Sequence, residues 1–422
     1  MINKINGFFK NEYIYSIITR FVVITISLIQ SILCARYLGA SLKGSSAYMS
    51  SIASIGSIVI TFGMHQAYPY FRKKYGKENI YQDYVSLVVL LYAIYFIVAV
   101  ILACFVIETP EVKAATIMIP IMGYANVVGY VCLIENPNRR NRWWTIITFI
   151  DVIFVAMLWL FTNSNFKFAV SILIFADAIK GIVYTYELKI KPRYHKEMWK
   201  LVKELFSYGF FPMIALLMTT LNYRIDVLML KSYSYISNAE IGIYSVGISF
   251  ADKIVLIPDT LAGILASKLA KGANEDEVVK VSRICFWASC LMCIGFFVVG
   301  GWAIPFLYGK EYENSFNVLM ISAIGSVFIG YFKLIAQYNI INKEQIKNVI
   351  MLSVAIVVDV IGNLLLIPVW GINGAALATG LGNLVCGVVF VVWFSRKANT
   401  KLSKMFILQK SDFKLIKSIF KK

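Results

Sequence analysis

Long apolar runs constrain this chain more than any other feature. Between its charged breaks lie twelve stretches of mostly apolar residues, each about the 20-residue length that an α-helix needs to cross a hydrocarbon core. They fall approximately at 14–35, 46–69, 84–107, 114–134, 143–161, 166–186, 206–230, 239–265, 284–307, 316–341, 348–369 and 374–395. Lipid offers backbone N–H and C=O groups no water, so each run must satisfy its own hydrogen bonds as a helix. Composition agrees: of 422 residues, 59% are hydrophobic and 15% charged, against roughly 25% charged in soluble domains. The expectation is an all-α integral membrane protein with about 12 transmembrane helices.

The positions of Lys and Arg set the expected orientation, because cytoplasmic loops keep them. With the N-terminus inside, 30 of the 41 fall in inside segments and 6 in outside loops. Both termini are therefore expected on the cytoplasmic side of a bacterial cell membrane. The same asymmetry accounts for the net charge of +18, since basic loops sit well beside an anionic leaflet. Nucleic acid is not needed as a partner.

Several chemistries lack their residues. The seven cysteines all lie in expected spans, and the single Cys-x-x-Cys, Cys290 with Cys293, sits inside the ninth, where small apolar packing is their ordinary role. His65 and His195 are the only histidines, so no metal-ligand or Ser-His-Asp set is visible and no cofactor is expected. The start, "MINKINGFFKNEY", has no short apolar stretch ending in a cleavage site. The first span is expected to stay as an anchor.

Charges inside the spans are the informative residues. A charge at the bilayer centre costs about 2.5–3.5 kcal/mol on insertion scales, so it faces protein or water. Eleven occur: Arg20, Asp151, Asp177, Lys180, Arg224, Asp226, Asp252, Lys253, Asp259, Lys333 and Asp359. Asp177 and Lys180, three apart, suit a local pair. Asp151 is expected near interfacial water, and Asp359 to hydrogen-bond a neighbouring helix. Arg224 and Asp226 are two apart and point roughly 200° from one another, so each needs a partner on another helix or water in a cavity. Inter-helix pairing and a ligand role are both open for them.

Polar stripes mark where a wet lumen would lie. Ser50, Ser54, Ser57, Thr61 and His65 recur at helical spacing on the second span, Ser245, Ser249, Asp252 and Asp259 on the eighth, and Ser16, Arg20, Ser27 and Ser31 on the first. The second and eighth spans are six helices apart. That offset fits two six-helix bundles, 14–190 and 205–395, joined by a basic linker at 191–204 and flanked by segments 1–13 and 396–422. Duplicated halves that rock about a site are a recurrent transporter plan. The basic tail "KMFILQKSDFKLIKSIFKK" reads equally as an interfacial helix or a plain basic end.

Three segments carry a resemblance: "RYLGASLKGSSAYMSSIASIGSIVITFG", "LYGKEYENSFNVLMI" and "NLLLIPVWGINGAALATGLGNLV". They resemble the polysaccharide biosynthesis proteins, flippases of lipid-linked oligosaccharides in the multidrug/oligosaccharidyl-lipid/polysaccharide (MOP) exporter superfamily. In the most distinctive of them, Pro368 ends a helix, Gly371 permits a tight turn, and "GAALATG" offers small residues for close packing. The resemblance implies two six-helix bundles around a central cavity that opens alternately to the two leaflets. It implies an oligosaccharide repeat unit on undecaprenyl pyrophosphate as substrate, moved outward for O-antigen or capsule assembly, with polymerase and chain-length proteins as partners. Fixed cations would replace the hydration of the pyrophosphate, and Arg20, Arg224, Lys253 and Lys333 are the candidates. His65, Asp226, Asp252 and Asp259 are candidates for cavity polarity, pairing or ion coupling. The rival readings are a multidrug/cation antiporter of the same superfamily, and an integral-membrane polymerase or acyltransferase, which the short outside loops disfavour.

Overall fold

The computed structural model describes residues 12–193, 198–270, 272, 274–409 and 412. Among them the regular elements are helices throughout, without a strand. In chain order these are α1 (Glu12–Thr61), α2 (Met64–Tyr75), α3 (Lys77–Phe105), α4 (Pro110–Glu135), α5 (Pro137–Phe161), α6 (Phe166–Glu187), α7 (Met198–Ser232), α8 (Asn238–Ile254), α9 (Leu256–Ala270), α10 (Glu275–Tyr308), α11 (Ser315–Ile341), α12 (Gln345–Lys397) and the short α13 (Ser403–Phe406). Every expected apolar run lies on this set of helices, and nine stretches of the described residues are long and apolar enough to cross a membrane.

Glycine supplies the breaks in the two longest helices. α1 is interrupted at Gly39 (φ 70°, ψ 170°) and α12 at Gly371 (φ 55°, ψ −130°), conformations that cost little only without a Cβ. Each therefore holds two crossings rather than one. Gly371 lies three residues after Pro368, where the sequence placed its turn.

The exposed surface identifies the surrounding medium. Phe105 is 84% exposed, Val298 78%, and Leu160, Phe161, Leu291 and Ile182 are exposed with them. A soluble monomer does not spread large apolar side chains over its surface in this way. The chain is a multi-pass membrane protein.

Two compact units, Met1–Thr220 and Leu221–Lys422, divide within α7. In the first, Met64, Tyr68, Phe71, Tyr84, Tyr184 and Leu205 form the largest core cluster. Glu135 there is 2% exposed, and it accepts from Arg72 Nε and Tyr68 Oη, both at 2.6 Å. In the second, α11 and α12 pack at backbone distance. A Cβ at Gly387 would lie 2.7 Å from the Phe328 carbonyl carbon, and one at Gly325 would strike the backbone of Gly380. Of the expected packing segment, Gly374, Ala375, Ala376, Ala378, Thr379 and Gly380 are all buried.

The described part of the tail is tied down. Arg283 Nε and Nη2 donate to the two carboxylate oxygens of Asp412 at 2.6 Å, and Nη1 donates to the Lys404 carbonyl. Tyr331 and Trp287 donate to the carbonyls of Met405 and Phe406. Arg283 reads as an ordinary loop cation in the sequence, yet its side chain is 3% exposed and that of Asp412 0%. Burial pushes the Asp412 carboxyl up, but the hydrogen bonds from Arg283 and the Gln409 N–H, with the charges of Arg283 and Lys280, together outweigh it and hold it below the usual aspartate range. Most of the remaining tail lies outside the described residues.

Two stability outcomes follow. Asp412→Ala strands a buried guanidinium and should cost about 3–5 kcal/mol. Because the folded carboxyl is lowered, the pair's contribution is present above the unfolded value and is lost as pH falls through the folded one. Thermal unfolding of purified protein should therefore show a wild-type minus Asp412→Ala difference that shrinks on acidification; a constant difference would contradict the pair. Gly387→Val should force α11 and α12 apart at about 1–3 kcal/mol, read as an earlier melt by size-exclusion chromatography after heating, whereas an unchanged melt would refute the close crossing.

Candidate functional site

The second unit gathers most of the candidate charges. Arg224 stands on α7, Asp252 and Lys253 on α8, Asp259 on α9 and Lys333 on α11. Lys333 Nζ lies 3.2 Å from Asp259 Oδ1 and 5.4 Å from the centre of the Tyr223 ring. Asp252 feels the fields of Arg224, Asp226, Lys253 and Lys333 together. The five side chains thus form one electrostatic cluster drawn from four helices.

None of the five is fully buried, and Arg224 is exposed although it sits on a spanning helix. A guanidinium keeps its charge at any physiological pH and is poorly tolerated by hydrocarbon. Its surroundings must supply water or an anion.

Asp226 belongs to a different environment. Its carboxylate is 3% exposed. It accepts from the Val227 N–H at 2.8 Å, from the Tyr244 hydroxyl, and more weakly from Thr379 Oγ1 at 3.4 Å, so α7, α8 and α12 meet there. One helical turn away Asn222 donates to Asn383 at 3.2 Å. Asp359 is 2% exposed, within the field of Asp226, and bonded to Asn363 Nδ2 at 3.1 Å on its own helix rather than to a neighbouring one. Neither buried carboxylate makes an ion pair among the described residues. The divergence of Arg224 and Asp226 around α7 thus puts the cation in the exposed cluster and the acid in a closed hydroxyl and amide cage.

His65 lies in the first unit, beside a cavity of about 370 Å³. Ser57 and Thr61 from the same stripe also line it, while Ser54, Ser57 and Thr61 return their hydroxyls to carbonyls of their own helix. Three of the stripe's five polar groups are therefore spent locally. Asp177 and Lys180 form the expected local pair at 2.8 Å. Asp151 departs from expectation: it is 7% exposed, with one carboxylate oxygen unpartnered, because α5 packs that face inward instead of toward the interface. Arg20 lies in α1, and its side chain is outside the described residues.

Sequence reasoning missed the cage around Asp226 and the half-buried Arg140, which it counts among loop cations. Tyr244 and Thr379 carry no charge and lie 18 and 153 residues from Asp226. Only the fold brings them together. Among the described residues no group of three or more His, Cys, Asp or Glu is arranged to hold a metal.

The profile of the family "Polysaccharide biosynthesis protein" matches residues 9–247. An uncharacterized membrane protein of Methanocaldococcus jannaschii is 28% identical over 249 residues, 54% of this chain and 47% of that protein, so the chain spans about half the length of the curated relative it matches. The fold is similar to that of the lipid II flippase MurJ in an inward closed conformation, with a TM-score of 0.69 and 16% identity over 93% of this chain and 89% of that one. It is also similar to an inward-facing multidrug resistance MATE family transporter of the MOP superfamily, with a TM-score of 0.65 and 12% identity over 91% and 98% of the two chains. At such identities the likeness concerns the fold. The family match, spanning more than half of the chain, carries the assignment: this membrane protein belongs to the polysaccharide biosynthesis protein family.

Proposed function

We propose that the protein is a flippase that moves oligosaccharide repeat units on undecaprenyl pyrophosphate from the cytoplasmic to the outer leaflet, by alternating access, in O-antigen or capsule assembly. The observation that carries this reading is Arg224, an exposed guanidinium on a spanning helix with Lys253 and Lys333 in the same cluster. With three cations to two acids, the cluster offers a pyrophosphate charge-assisted donors in place of water. Arg20, on the first span, is proposed to add a further contact. The family assignment and the flippase-like fold support the same reading. Polymerase and chain-length proteins are its proposed partners, and the bacterial inner membrane with both termini cytoplasmic its proposed setting.

Asp226 is proposed as the coupling site. A carboxylate enclosed by neutral donors and without an ion-pair partner is incomplete in a low-dielectric interior, and a proton or a metal cation would complete it. Asp252 and Asp259 are proposed to pair with the cluster's cations when no substrate is bound. His65 is proposed to contribute to the separate cavity of the first unit.

In a strain lacking the gene, the lipid-linked oligosaccharide should accumulate in the inner leaflet and surface polysaccharide should fall. The wild-type gene should restore both. Arg224→Ala should restore surface polysaccharide at roughly one-tenth or less of the wild-type rate, the worth of one charge-assisted contact. Full rescue by Arg224→Ala would remove the cationic path, and absence of accumulation would favour an exporter of organic cations. Asp226→Asn keeps an acceptor for Tyr244 but removes the charge, so transport in membrane vesicles should lose its response to an imposed sodium or proton gradient. An undiminished response to both gradients would exclude Asp226 from coupling.

A further inference from the structure

The cavity of the first unit is built from groups with no role in the cluster described above. Arg140, on the first turns of α5, lays its guanidinium over the Trp144 ring at 4.4 Å. Its one hydrogen bond is a long one, from Nη1 to Asn141 Oδ1 at 3.3 Å, and its Nε is buried without a partner. No carboxylate pairs with it among the described residues. His65 Nδ1 is likewise buried and unpartnered, and its ring meets Tyr130 edge-on at 5.5 Å. Lys180 reaches the same space from α6. Its bond to Asp177 uses one of three ammonium donors.

Charge and donor count point the same way. Asp177 neutralises Lys180 but leaves the half-buried Arg140, whose Nε is out of reach of water, uncompensated, and a desolvated charge without a counter-charge is costly. Its place near the N-terminus of α5 adds to the cost, because a cation opposes the helix dipole there. Arg140 from α5 with its unpartnered Nε, Lys180 from α6 and the unpartnered His65 ring nitrogen at the start of α2 converge on a space of about 370 Å³, within the range of small-molecule sites. Convergence from three helices suits a tetrahedral oxyanion better than a planar carboxylate. A guanidinium backed by an indole is pre-oriented to bind such an anion with its fork.

We infer that this cavity is a binding site for a phosphate-class anion, held by Arg140 with Lys180 and His65. The site deepens the flippase reading, on which it rests only for the identity of the natural ligand: the anion is the diphosphate of a lipid-linked cargo, a phospholipid headgroup or a free phosphate. Whether the site exists is decided by binding, not by transport.

The test uses full-length protein in nanodiscs of neutral phosphatidylcholine, titrated calorimetrically with inorganic pyrophosphate. Wild type should bind saturably, and Arg140→Gln and His65→Leu should each bind roughly tenfold or more weakly, with melting temperature kept or raised in Arg140→Gln because the uncompensated charge is gone. If Arg140→Gln fails to fold, Arg140→Lys keeps the charge, loses the fork and should bind with intermediate affinity. Replacing part of the neutral lipid by phosphatidylglycerol distinguishes the sources. Competition that depends on Arg140 assigns the site to headgroups, and undiminished pyrophosphate binding assigns it to a diphosphate or free phosphate. Equal pyrophosphate affinity in wild type and in folded Arg140 and His65 variants, or no binding by wild type in neutral discs, overturns the inference. Either result leaves the leaflet assay of the deletion strain to judge transport separately.

Discussion

Everything in this protein is organised by the price of an unpaired charge in hydrocarbon. Helices are the only way to hide the backbone of so many apolar crossings, and glycine contacts such as Gly387 against Phe328 then bring them close. Once packed, each ionisable side chain on a span has three outcomes open to it. It is paired, like Lys180 with Asp177; it is caged by neutral donors, like Asp226; or it keeps contact with water or ligand, like Arg224. Which of these a residue adopts separates its structural from its functional use.

The first level of this organisation was legible in the sequence. Apolar run length located the helices because the hydrophobic thickness fixes it, and Gly371 beside Pro368 announced a break because few other residues tolerate that backbone. The Asp177–Lys180 pair followed from helical spacing alone. Partners far apart in sequence did not. Nothing around Asp226 hinted at Tyr244 and Thr379, since uncharged hydroxyls on apolar helices look like packing residues. Arg140 and Arg283 fell at helix ends, where a count of loop cations treats every one as solvated. The burial of Arg283 and the half-burial of Arg140 depend on which face of α10 and α5 packs inward, and helix periodicity is blurred there by the polar interface.

The site was legible in its residue types rather than its grouping. Arg224, Lys253, Lys333, Asp252 and Asp259 stood out as intramembrane charges, and the fold of the second unit collects all five. His65 came from the same search and lies in the first unit, beside a cavity with its own cations. For the proposed cargo, an oligosaccharide on a lipid diphosphate, cationic groups at two places in one chain are physically apt: each lowers the cost of taking a charged head away from water, and neither need hold it tightly.

The flippase account is tested most directly by reconstitution. The purified protein would be placed in liposomes carrying a fluorescent lipid-linked oligosaccharide diphosphate, and the fraction open to a membrane-impermeant quencher followed with time. The account predicts that label in the inner leaflet becomes quenchable only when the protein is present, and more slowly with Arg224→Ala. Label that stays protected in the presence of folded wild-type protein, while an organic cation is transported in the same liposomes, would contradict it.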